Sequence, residues 1–539
     1  MRLGEMQDWP LRVTRLVDHA EREHADGEIV TAWANGSITR STYGKVALDA
    51  HKMAQALERL GIEPEDRVAT LGMNHEHHLI AWYGTVGMGG ILHTINPRLF
   101  DDQLEYIANH AEDRVLLYDR VFTPLVEKMK SRWNTIEHYI CFDPAEGEYG
   151  FRQWIDAEDG NYRWVEGDER APLGLCYTSG TTGNPKGVLY EHRSTMLHTL
   201  AQLSPDVMGL SKQAVVLPIV PMFHANAWGV PWAGAATGAK LVLSADYRPE
   251  RMCQLFREEK VTHSAGVPTV WLTMIEHIER TGEELGPLKQ VTIGGSAAPR
   301  AMIRWLRERG VEVGHAWGMT ETSPIGTCGS PPAGWDDMTD DEQVELIARQ
   351  GRVPFGVELR TVDDEGNVLP RDGKTSGRLQ CRGPWVIKRY FKAEEDATDE
   401  DQWFDTGDVA AMHPDGTIQI TDRSKDVIKS GGEWISSIEL ENAAVAHPGV
   451  AEAAAIGISH PKWDERPLLC VVRANGNDVS ATDIREHLKR HIASWWLPDA
   501  IEFVDELPHT ATGKLSKLRL REQFKDYRFA DAEEMVGRD

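Results

Sequence analysis

Short strand-like runs alternate with helical stretches along much of this chain. VATLGM (68–73) precedes a helical stretch that begins near His75, and VLLYD (115–119) precedes another. AVVLPIV (214–220) and AKLVLS (239–244) bracket a third helical stretch. This alternation is typical of βαβ units, in which helices connect parallel strands. We therefore predict an α/β fold with mainly parallel sheets.

Length and charge exclude several classes of protein. The chain has 539 residues, with 84 acidic and 58 basic side chains and a formal net charge of −26. The electrostatic field of this negative charge repels nucleic acids and anionic membranes. The sequence contains no run of about 18 uncharged apolar residues that would span a bilayer. We expect a folded protein of several packed units, with neither a nucleic acid nor a membrane as partner.

The cysteines and the first residues predict a cytoplasmic location. The opening MRLGEMQDWP carries acids and a proline where a secretory signal has a basic start and an apolar stretch. The cysteines have no close spacing typical of a disulfide framework or a zinc site. They are Cys141, Cys176, Cys253, Cys328, Cys381 and Cys470.

A smaller C-terminal domain is predicted after residue 425. The polar segment ITDRSKDVIKSGGEW (420–434) follows the turn-rich HPDG of 413–416. About 114 residues remain beyond it, with helical patterns at 437–446 and 482–492 and strand-like runs at 450–458, 467–474 and 500–506. This length suits a small α+β domain.

The segment YTSGTTGNPKG (177–187) has the composition of a phosphate-binding loop. Its glycines allow the backbone N–H groups to approach an anion, its hydroxyl side chains add donors, and Lys186 adds a cation. The Walker spacing is absent because Gly187 follows the lysine. A flexible surface loop is the alternative on composition alone.

Further motifs follow in a fixed order. They are GGSAAP (294–299), WGMTET (317–322), WFDTGD (403–408), DRSKDVIKSGGEWISSIELE (422–441) and PHTATGKLSKLRLR (508–521). Together with the loop, they resemble the motifs of the adenylate-forming superfamily, which includes acyl-CoA synthetases, luciferases and adenylation domains. The resemblance implies a large N-terminal domain of several sheet-and-helix subdomains (1–422), a hinge near 423–426, and a small mobile α+β lid (426–539).

The resemblance also implies a two-step reaction. ATP and a carboxylic acid form an acyl-adenylate, and CoA then takes the acyl group as a thioester. Mg²⁺ and placed cations would balance the phosphate charge. ATP, Mg²⁺ and CoA are the expected cofactors.

Nucleotide-binding roles carry over to matching positions. Glu321 is the expected Mg²⁺ ligand, with Thr178 as a second candidate, and Thr320 is expected to contact the α-phosphate. Asp408 and Arg423 are expected to bind the ribose. Trp317 stands where the family commonly has tyrosine. The remaining expected nucleotide contacts are Ser179, Gly180, Thr181, Thr182, Gly183, Lys186, Gly295, Ser296, Ala297, Ala298, Gly318 and Met319.

Catalytic and acyl-binding roles carry over in the same way. Lys514 is the expected adenylation lysine, Lys425 the pivot of the lid, and Lys429 a residue that stabilises one lid position. Gly432 is expected to lie against the pantetheine arm of CoA. The expected acyl-site residues are His224 as the gate, Trp228 on the same face of a gate helix, Gly295 and Met319.

The gate segment also bears on the choice of acid. Residues 221–232 contain no acidic side chain to balance a substrate ammonium, so an aliphatic or aryl acid is favoured over an amino acid. The motifs resemble the fatty-acyl-CoA synthetase branch most closely, which implies a short or medium-chain acid, a methylthio-propionate among them, and a homodimer. Medium-chain or aryl-CoA ligation, a luciferase-like oxygenase and a non-catalytic binding protein are the alternatives.

Overall fold

The computed structural model describes residues 4–178, 184–430, 433–474, 476–509 and 515–529, with only the backbone of 433–434. The described chain divides into two compact units. The first contains residues 4–178, 184–358 and 382–404, and the second contains the described parts of 359–381 and 405–529. The predicted α/β class is confirmed. The boundary at 422 and the mobility of the lid stay predictions.

Fourteen strands of the first unit form two sheets. In chain order they are β1 (Glu28–Ala32), β2 (Ile38–Thr42), β3 (Arg67–Leu71), β4 (Ile91–Thr94), β5 (Asp113–Tyr118), β6 (His138–Cys141), β7 (Pro172–Tyr177), β8 (Gly187–Glu191), β9 (Val215–Pro218), β10 (Lys240–Ser244), β11 (His263–Gly266), β12 (Gln290–Ile293), β13 (Glu312–Gly318) and β14 (Ile325–Cys328).

The larger sheet brings three of the predicted motifs to one edge. Its strand order is β14-β13-β12-β11-β9-β10-β1-β2. The strands from β13 to β1 in this order pair in parallel, and β14 and β2 are antiparallel edge strands. Parallel strands end at the same edge, so the segments after β9, β12 and β13 start there. The smaller sheet has the order β6-β5-β3-β4-β7-β8, with only β8 antiparallel.

Helices cover both faces of the larger sheet. The helices are α1 (Thr14–Glu23), α2 (Tyr43–Arg59), α3 (Glu76–Gly87), α4 (Asp101–Ala111), α5 (Thr123–Met129), α6 (Phe151–Ile155), α7 (His192–Gln202), α8 (Val230–Thr237), α9 (Pro249–Glu258), α10 (Pro268–Thr281), α11 (Arg300–Glu308) and α12 (Asp340–Ala348). One core combines α1, α2, α3 and α8 with strands of both sheets, and a second combines α9 to α12 with the larger sheet.

The second unit also contains two sheets. Its strands are β15 (Glu358–Val362), β16 (Ser376–Arg382), β17 (Phe404–Met412), β18 (Ile418–Arg423), β19 (Ile428–Ser430), β20 (Glu433–Ile435), β21 (Val450–His460), β22 (Asp464–Arg473) and β23 (Ala500–Phe503). Its helices are α13 (Ser437–Val445), α14 (Ala481–Leu488) and α15 (Lys517–Gln523). β15 to β18 form one sheet, and β19 to β23 form the other. The predicted helical and strand-like runs beyond 425 correspond to α13, β21, β22, α14 and β23.

A buried ionic network connects β18, α13 and α15 in the second unit. The Lys517 ammonium lies 2.8 Å from Glu441 Oε1 and also bonds Ser437 Oγ. Asp422 is fully buried and accepts a hydrogen bond from the Ser437 N–H at 2.6 Å. Burial opposes the charge on Lys517, yet Glu441 and Asp422 raise its pKa on balance. The network therefore depends on a charged lysine.

Among the described residues, no helix has both the length and the apolar character that crossing a bilayer requires.

Candidate active site

The phosphate-loop motif lies on a hairpin of the first unit. β7 and β8 pair with Tyr177 opposite Gly187. Beyond this pair, the Thr178 N–H donates to the Lys186 carbonyl at 2.9 Å, and the Lys186 N–H donates to Thr178 Oγ1 at 3.3 Å. These bonds close the base of the loop. Ser179, Gly180, Thr181, Thr182 and Gly183 lie outside the described residues.

One tyrosine connects the expected magnesium ligand with the expected phosphate cation. Glu321, which is 6% exposed, accepts a hydrogen bond at Oε1 from the Tyr390 hydroxyl at 2.9 Å. The Lys186 ammonium lies 4.8 Å from the centroid of the same ring, a cation–π distance. We call Lys186, Glu321 and Tyr390 the phosphate-side cluster. It brings together two predicted residues that are 135 positions apart.

Backbone hydrogen bonds hold the phosphate-side cluster in place. The Phe391 N–H donates to the Gly187 carbonyl at 2.8 Å, and the Ile387 N–H donates to the Glu321 carbonyl at 2.8 Å. The Tyr190 hydroxyl donates to the Thr320 carbonyl at 2.8 Å. The segment around Tyr390 is therefore fixed to both the hairpin and the turn that carries Glu321. Sequence analysis missed Tyr190 and Tyr390, because neither spacing nor composition distinguishes them from core tyrosines.

The expected adenine loop follows β12 and is supported by a buried histidine. The Ala298 N–H lies 3.3 Å from Nε2 of His315, whose Nδ1 lies 3.1 Å from the Ile347 carbonyl. His315 is fully buried, and burial lowers its pKa, so its ring is neutral at pH 7. It thus connects the loop of Gly295, Ser296, Ala297 and Ala298 to the end of α12.

Trp317 lies against a glycine of the neighbouring strand. It is 8% exposed and sits in β13, opposite Thr327 of β14. A Cβ atom on Gly326 would lie 2.3 Å from Cζ3 of the indole. Only a residue without a side chain leaves room for the ring at this position. Trp317 is followed directly by Gly318, Met319, Thr320 and Glu321. The Met319 N–H donates to Thr322 Oγ1 at 3.0 Å.

The predicted gate helix is wrong in its geometry. His224 is extended, and Ala225, Asn226, Ala227 and Trp228 have φ values of +42°, +54°, +45° and +53°. These four residues form a left-handed turn. The four-residue spacing of a right-handed α-helix therefore does not place His224 and Trp228 on one helical face. Each non-glycine residue in this conformation costs about 1–2 kcal/mol, and α8 begins only at Val230.

Surrounding side chains hold the left-handed turn. The Thr94 hydroxyl donates to Asn226 Oδ1 at 3.3 Å, and Gln202 Nε2 donates to the Trp228 carbonyl at 3.0 Å. Just before the turn, the buried Asn74 accepts from the Met222 N–H at 2.7 Å and donates to the carbonyls of Pro218 and Val220. Strain that is held this firmly is typical of functional segments.

Trp228 faces the start of the adenine loop. It is 9% exposed, and Cη2 of its indole lies 3.5 Å from the position a Cβ of Gly294 would take. Trp232 of α8, in the same hydrophobic core, packs on Tyr83 with ring centroids 5.2 Å apart. The gate turn and the GGSAAP loop therefore meet at the edge of the larger sheet.

The expected ribose pair lies in the second unit. Asp408 of β17 is opposite Arg423 of β18, and Arg423 Nε lies 2.8 Å from Asp408 Oδ1. The Asp408 side chain is 4% exposed and that of Arg423 is 45% exposed. The structure thus brings these two predicted residues together and keeps the carboxylate sheltered from water.

Two other predicted lysines lie near the start of the C-terminal sheet. Lys425 lies in a turn between β18 and β19, where the guanidinium of Arg521 donates to its carbonyl at 2.8 Å. Burial lowers the pKa of Lys425. Lys429 is exposed in β19, and its N–H donates to Glu465 Oε2 at 3.0 Å. Gly432 and Lys514 lie outside the described residues.

Comparisons with known proteins match this arrangement of motifs. The description "AMP-binding enzyme" matches residues 17–391, and "AMP-binding enzyme C-terminal domain" matches residues 439–514. The chain belongs to the AMP-binding enzyme family. The family match ends at Phe391, directly after Tyr390 of the phosphate-side cluster.

Relatives within the AMP-binding enzyme family include acid–CoA ligases. The chain is 48% identical to a 3-methylmercaptopropionyl-CoA ligase of Ruegeria lacuscaerulensis, over 97% of this chain and 99% of that one. It is 45% identical to a medium-chain-fatty-acid–CoA ligase of Ectopseudomonas oleovorans, over 97% and 98%. A crystal structure of the anthranilate CoA ligase AuaEII with anthranoyl-AMP matches with a TM-score of 0.84 and 25% identity, over 96% and 99% of the two chains.

Proposed function

We propose that this AMP-forming acid–CoA ligase acts on short and medium-chain aliphatic acids, with 3-methylmercaptopropionate as the preferred acid. Identity alone does not select the acid, because the relatives named for 3-methylmercaptopropionate and for medium-chain fatty acids are 48% and 45% identical. The observation that carries the proposal is the position of Trp228.

Trp228 would limit the length of the acyl group. Its indole occupies the space beside Gly294, between the gate turn and the adenine loop. Trp82, Tyr83 and Trp232 belong to the same hydrophobic core as Trp228, and all three side chains are at most 2% exposed. A long acyl chain would have to displace side chains of this packed core, whereas a short thioether would need less room, and its sulfur would suit the indole and the polarisable Met319.

A panel of acids tests the substrate proposal. We expect kcat/KM for 3-methylmercaptopropionate to exceed the values for propionate, butyrate, octanoate and benzoate. Trp228→Ala should move the preference toward octanoate by tenfold or more, because removing the indole would free the space that it fills beside Gly294. Trp305→Ala, on α11, is the matched control and should leave the order unchanged. A clear preference of the wild type for octanoate or benzoate would contradict the proposal.

The phosphate-side cluster supports a role in nucleotide binding. The buried carboxylate of Glu321 offers the hard oxygen ligand that Mg²⁺ prefers, and Thr178 offers a hydroxyl at the base of the loop. Bound Mg²⁺ would offset the charge of the phosphates. Lys186 would contact the phosphates, and Thr320 would contact the α-phosphate. The adenine would lie against Trp317 and the segment from Gly295 to Ala298. The ribose would be bound by Asp408 and Arg423.

The two half-reactions would use different residues. Lys514 would stabilise the charge that develops as the acid attacks the α-phosphate. Lys425 would be the pivot of the lid, and Lys429 would stabilise one lid position. For the second half-reaction, Gly432 would lie against the pantetheine arm of CoA, and His224 would control access of the CoA thiol. Lys514→Ala should therefore lose acyl-adenylate formation by orders of magnitude and retain thiolysis of supplied acyl-AMP. An equal loss of both half-reactions would contradict this division.

We also propose a cytoplasmic location and a homodimer. The six cysteines, five of them buried, lack the close spacing of a disulfide framework, which supports a reducing compartment. The homodimer rests on the resemblance to the branch, and size-exclusion chromatography with light scattering tests it.

A further inference from the structure

Three metal-ligating side chains meet outside the residues discussed for nucleotide and acyl binding. They are Cys253 of α9, His277 of α10 and Glu283, which follows α10. The thiol sulfur, a ring nitrogen and a carboxylate oxygen all lie within 4.8 Å of one another. Cys253 is fully buried, His277 is 5% exposed, and the Glu283 side chain is 30% exposed. We call these three residues the α9–α10 cluster.

The end of α10 explains how distant residues come together. Gly282 ends the helix with φ +74°, and its N–H donates to the Ile278 carbonyl at 2.8 Å. Glycine adopts this left-handed conformation without steric cost. The chain therefore reverses at Gly282, and Glu283 comes within reach of Cys253 on the neighbouring helix. The sequence pattern gave no zinc signal, because the ligands are spread over two helices and a turn.

The buried imidazole has an unsatisfied nitrogen that faces the other two ligands. Within the described ranges, Nε2 of His277 is buried and has no hydrogen-bond partner. It lies 3.6 Å from Glu283 Oε2, beyond hydrogen-bond length. Nδ1 lies 3.1 Å from Arg280 Nη2 and 3.5 Å from Glu250 Oε1. A buried nitrogen without a partner is uncommon and calls for an explanation.

We propose that Cys253, His277 and Glu283 bind one Zn²⁺ or a similar borderline divalent transition-metal ion. Thiolate, imidazole and carboxylate are zinc ligands, whereas a thiolate does not suit Mg²⁺. With bonds of about 2.0–2.3 Å and tetrahedral angles, ligand atoms lie about 3.3–3.6 Å apart. The spacing of 3.6 Å between His277 Nε2 and Glu283 Oε2 is at this limit, and the sulfur, within 4.8 Å of both atoms, would have to complete the set by a side-chain rotation.

Neighbouring charges determine how the ion binds. The Arg257 guanidinium donates to Glu283 Oε2 at 3.2 Å and has to share that carboxylate with the metal. The Arg280 guanidinium donates to His277 Nδ1 at 3.1 Å, so this bond has to break and the ring proton has to move from Nε2 to Nδ1 before Nε2 binds a metal. Glu250 Oε1, 3.5 Å from Nδ1, can then accept that proton, as the outer carboxylates of zinc sites do. The fully buried Cys253 binds as a thiolate, so the S–H bond breaks as the sulfur–metal bond forms, and one proton passes to solvent.

The bound ion would connect α9 to the end of α10. Both helices pack on the same face of the larger sheet, in one hydrophobic core. Binding to the folded state alone stabilises a protein in proportion to the logarithm of ligand concentration. Three protein ligands would leave the fourth position of the ion to water, and its occupancy should raise the unfolding temperature without any change in the ligase reaction.

Cobalt titration of metal-stripped full-length protein tests the site. We expect one equivalent of Co²⁺ to give a thiolate-to-cobalt charge-transfer band, Zn²⁺ to displace it, and one proton to be released per ion. Cys253→Ser should abolish the band, and Glu283→Gln, at a partly exposed position, should weaken binding by tenfold or more. Cys141→Ser is the matched control, because Cys141 is half-buried and lies outside the cluster.

Two results would overturn the proposal. The first is the absence of a thiolate band in the wild type, which would make the cluster a packing contact only. The second is equal binding by the wild type and a folded Glu283→Gln, which would remove the carboxylate from the site. Circular dichroism establishes that each variant is folded, so that loss of the band in Cys253→Ser reports on metal binding. Neither readout depends on ligase activity.

Discussion

Removing a single hydroxyl at Tyr390 should weaken the use of MgATP. The Tyr390 hydroxyl donates to Glu321 Oε1 at 2.9 Å, and Glu321 is only 6% exposed. A hydrogen bond to a charged group contributes about 1.5–3 kcal/mol, and water can hardly replace it at a buried carboxylate. Since 1.4 kcal/mol corresponds to a factor of ten, Tyr390→Phe should lower kcat/KM for MgATP by about 10- to 150-fold.

The substitution isolates the hydroxyl from the ring. Phenylalanine retains the aromatic face that Lys186 contacts at 4.8 Å, so the cation–π contact remains. The assay is acid-dependent ATP–pyrophosphate exchange at limiting MgATP, repeated at higher Mg²⁺, which should recover part of the loss. Tyr43→Phe is the matched control, because it removes a buried hydroxyl that donates to the Ala239 carbonyl at 2.7 Å. A Tyr390→Phe enzyme within twofold of wild type would refute the reasoning.

Three further predictions concern the adenine side, the second unit and pH. Gly326→Ala should raise the KM for ATP by tenfold or more, because the new Cβ would lie 2.3 Å from the Trp317 ring; an unchanged KM would count against Trp317 as the adenine contact. Lys517→Met should lower the free energy of unfolding by about 3–5 kcal/mol, since Asp422 and Glu441 would be left without a cation; an unaltered urea midpoint would show that the network is unimportant. Histidines of the unfolded chain become protonated below about pH 6.5, whereas the buried histidines of the folded chain stay neutral. As the pH decreases, the free energy of unfolding should therefore decrease by up to about 1.4 kcal/mol per pH unit for each buried histidine. A urea midpoint that does not change between pH 7 and 5 would contradict this. The histidines with pKa values lowered to about 3 by burial are His77, His78, His192 and His198.

Sequence analysis predicted the features that local pattern determines. The strand–helix alternation predicted the parallel sheets. The motif resemblance selected Asp408 and Arg423, which form an ion pair in the structure, and their ribose-binding role stays a prediction. It also selected Lys186 and Glu321, which the structure places over the ring and at the hydroxyl of the same tyrosine, Tyr390.

Features that depend on tertiary contacts could not be predicted. The left-handed turn from Ala225 to Trp228 opposes local preference, and it exists because Thr94 and Gln202, distant in sequence, bond to it. Tyr390 has no pattern of its own and gains its role from packing on the hairpin. The sequence motif singles out Lys514 but gives Lys517 no distinct role, whereas in the structure the buried Lys517 belongs to the ionic network.

The most direct test of the account is to identify the products of the reaction with ATP, CoA and 3-methylmercaptopropionate. The account predicts acid-dependent ATP–pyrophosphate exchange without CoA, and equal amounts of AMP, pyrophosphate and acyl-CoA once CoA is added. Release of ADP and phosphate, or AMP formation that needs neither the acid nor CoA, would contradict acyl-adenylate chemistry in this protein.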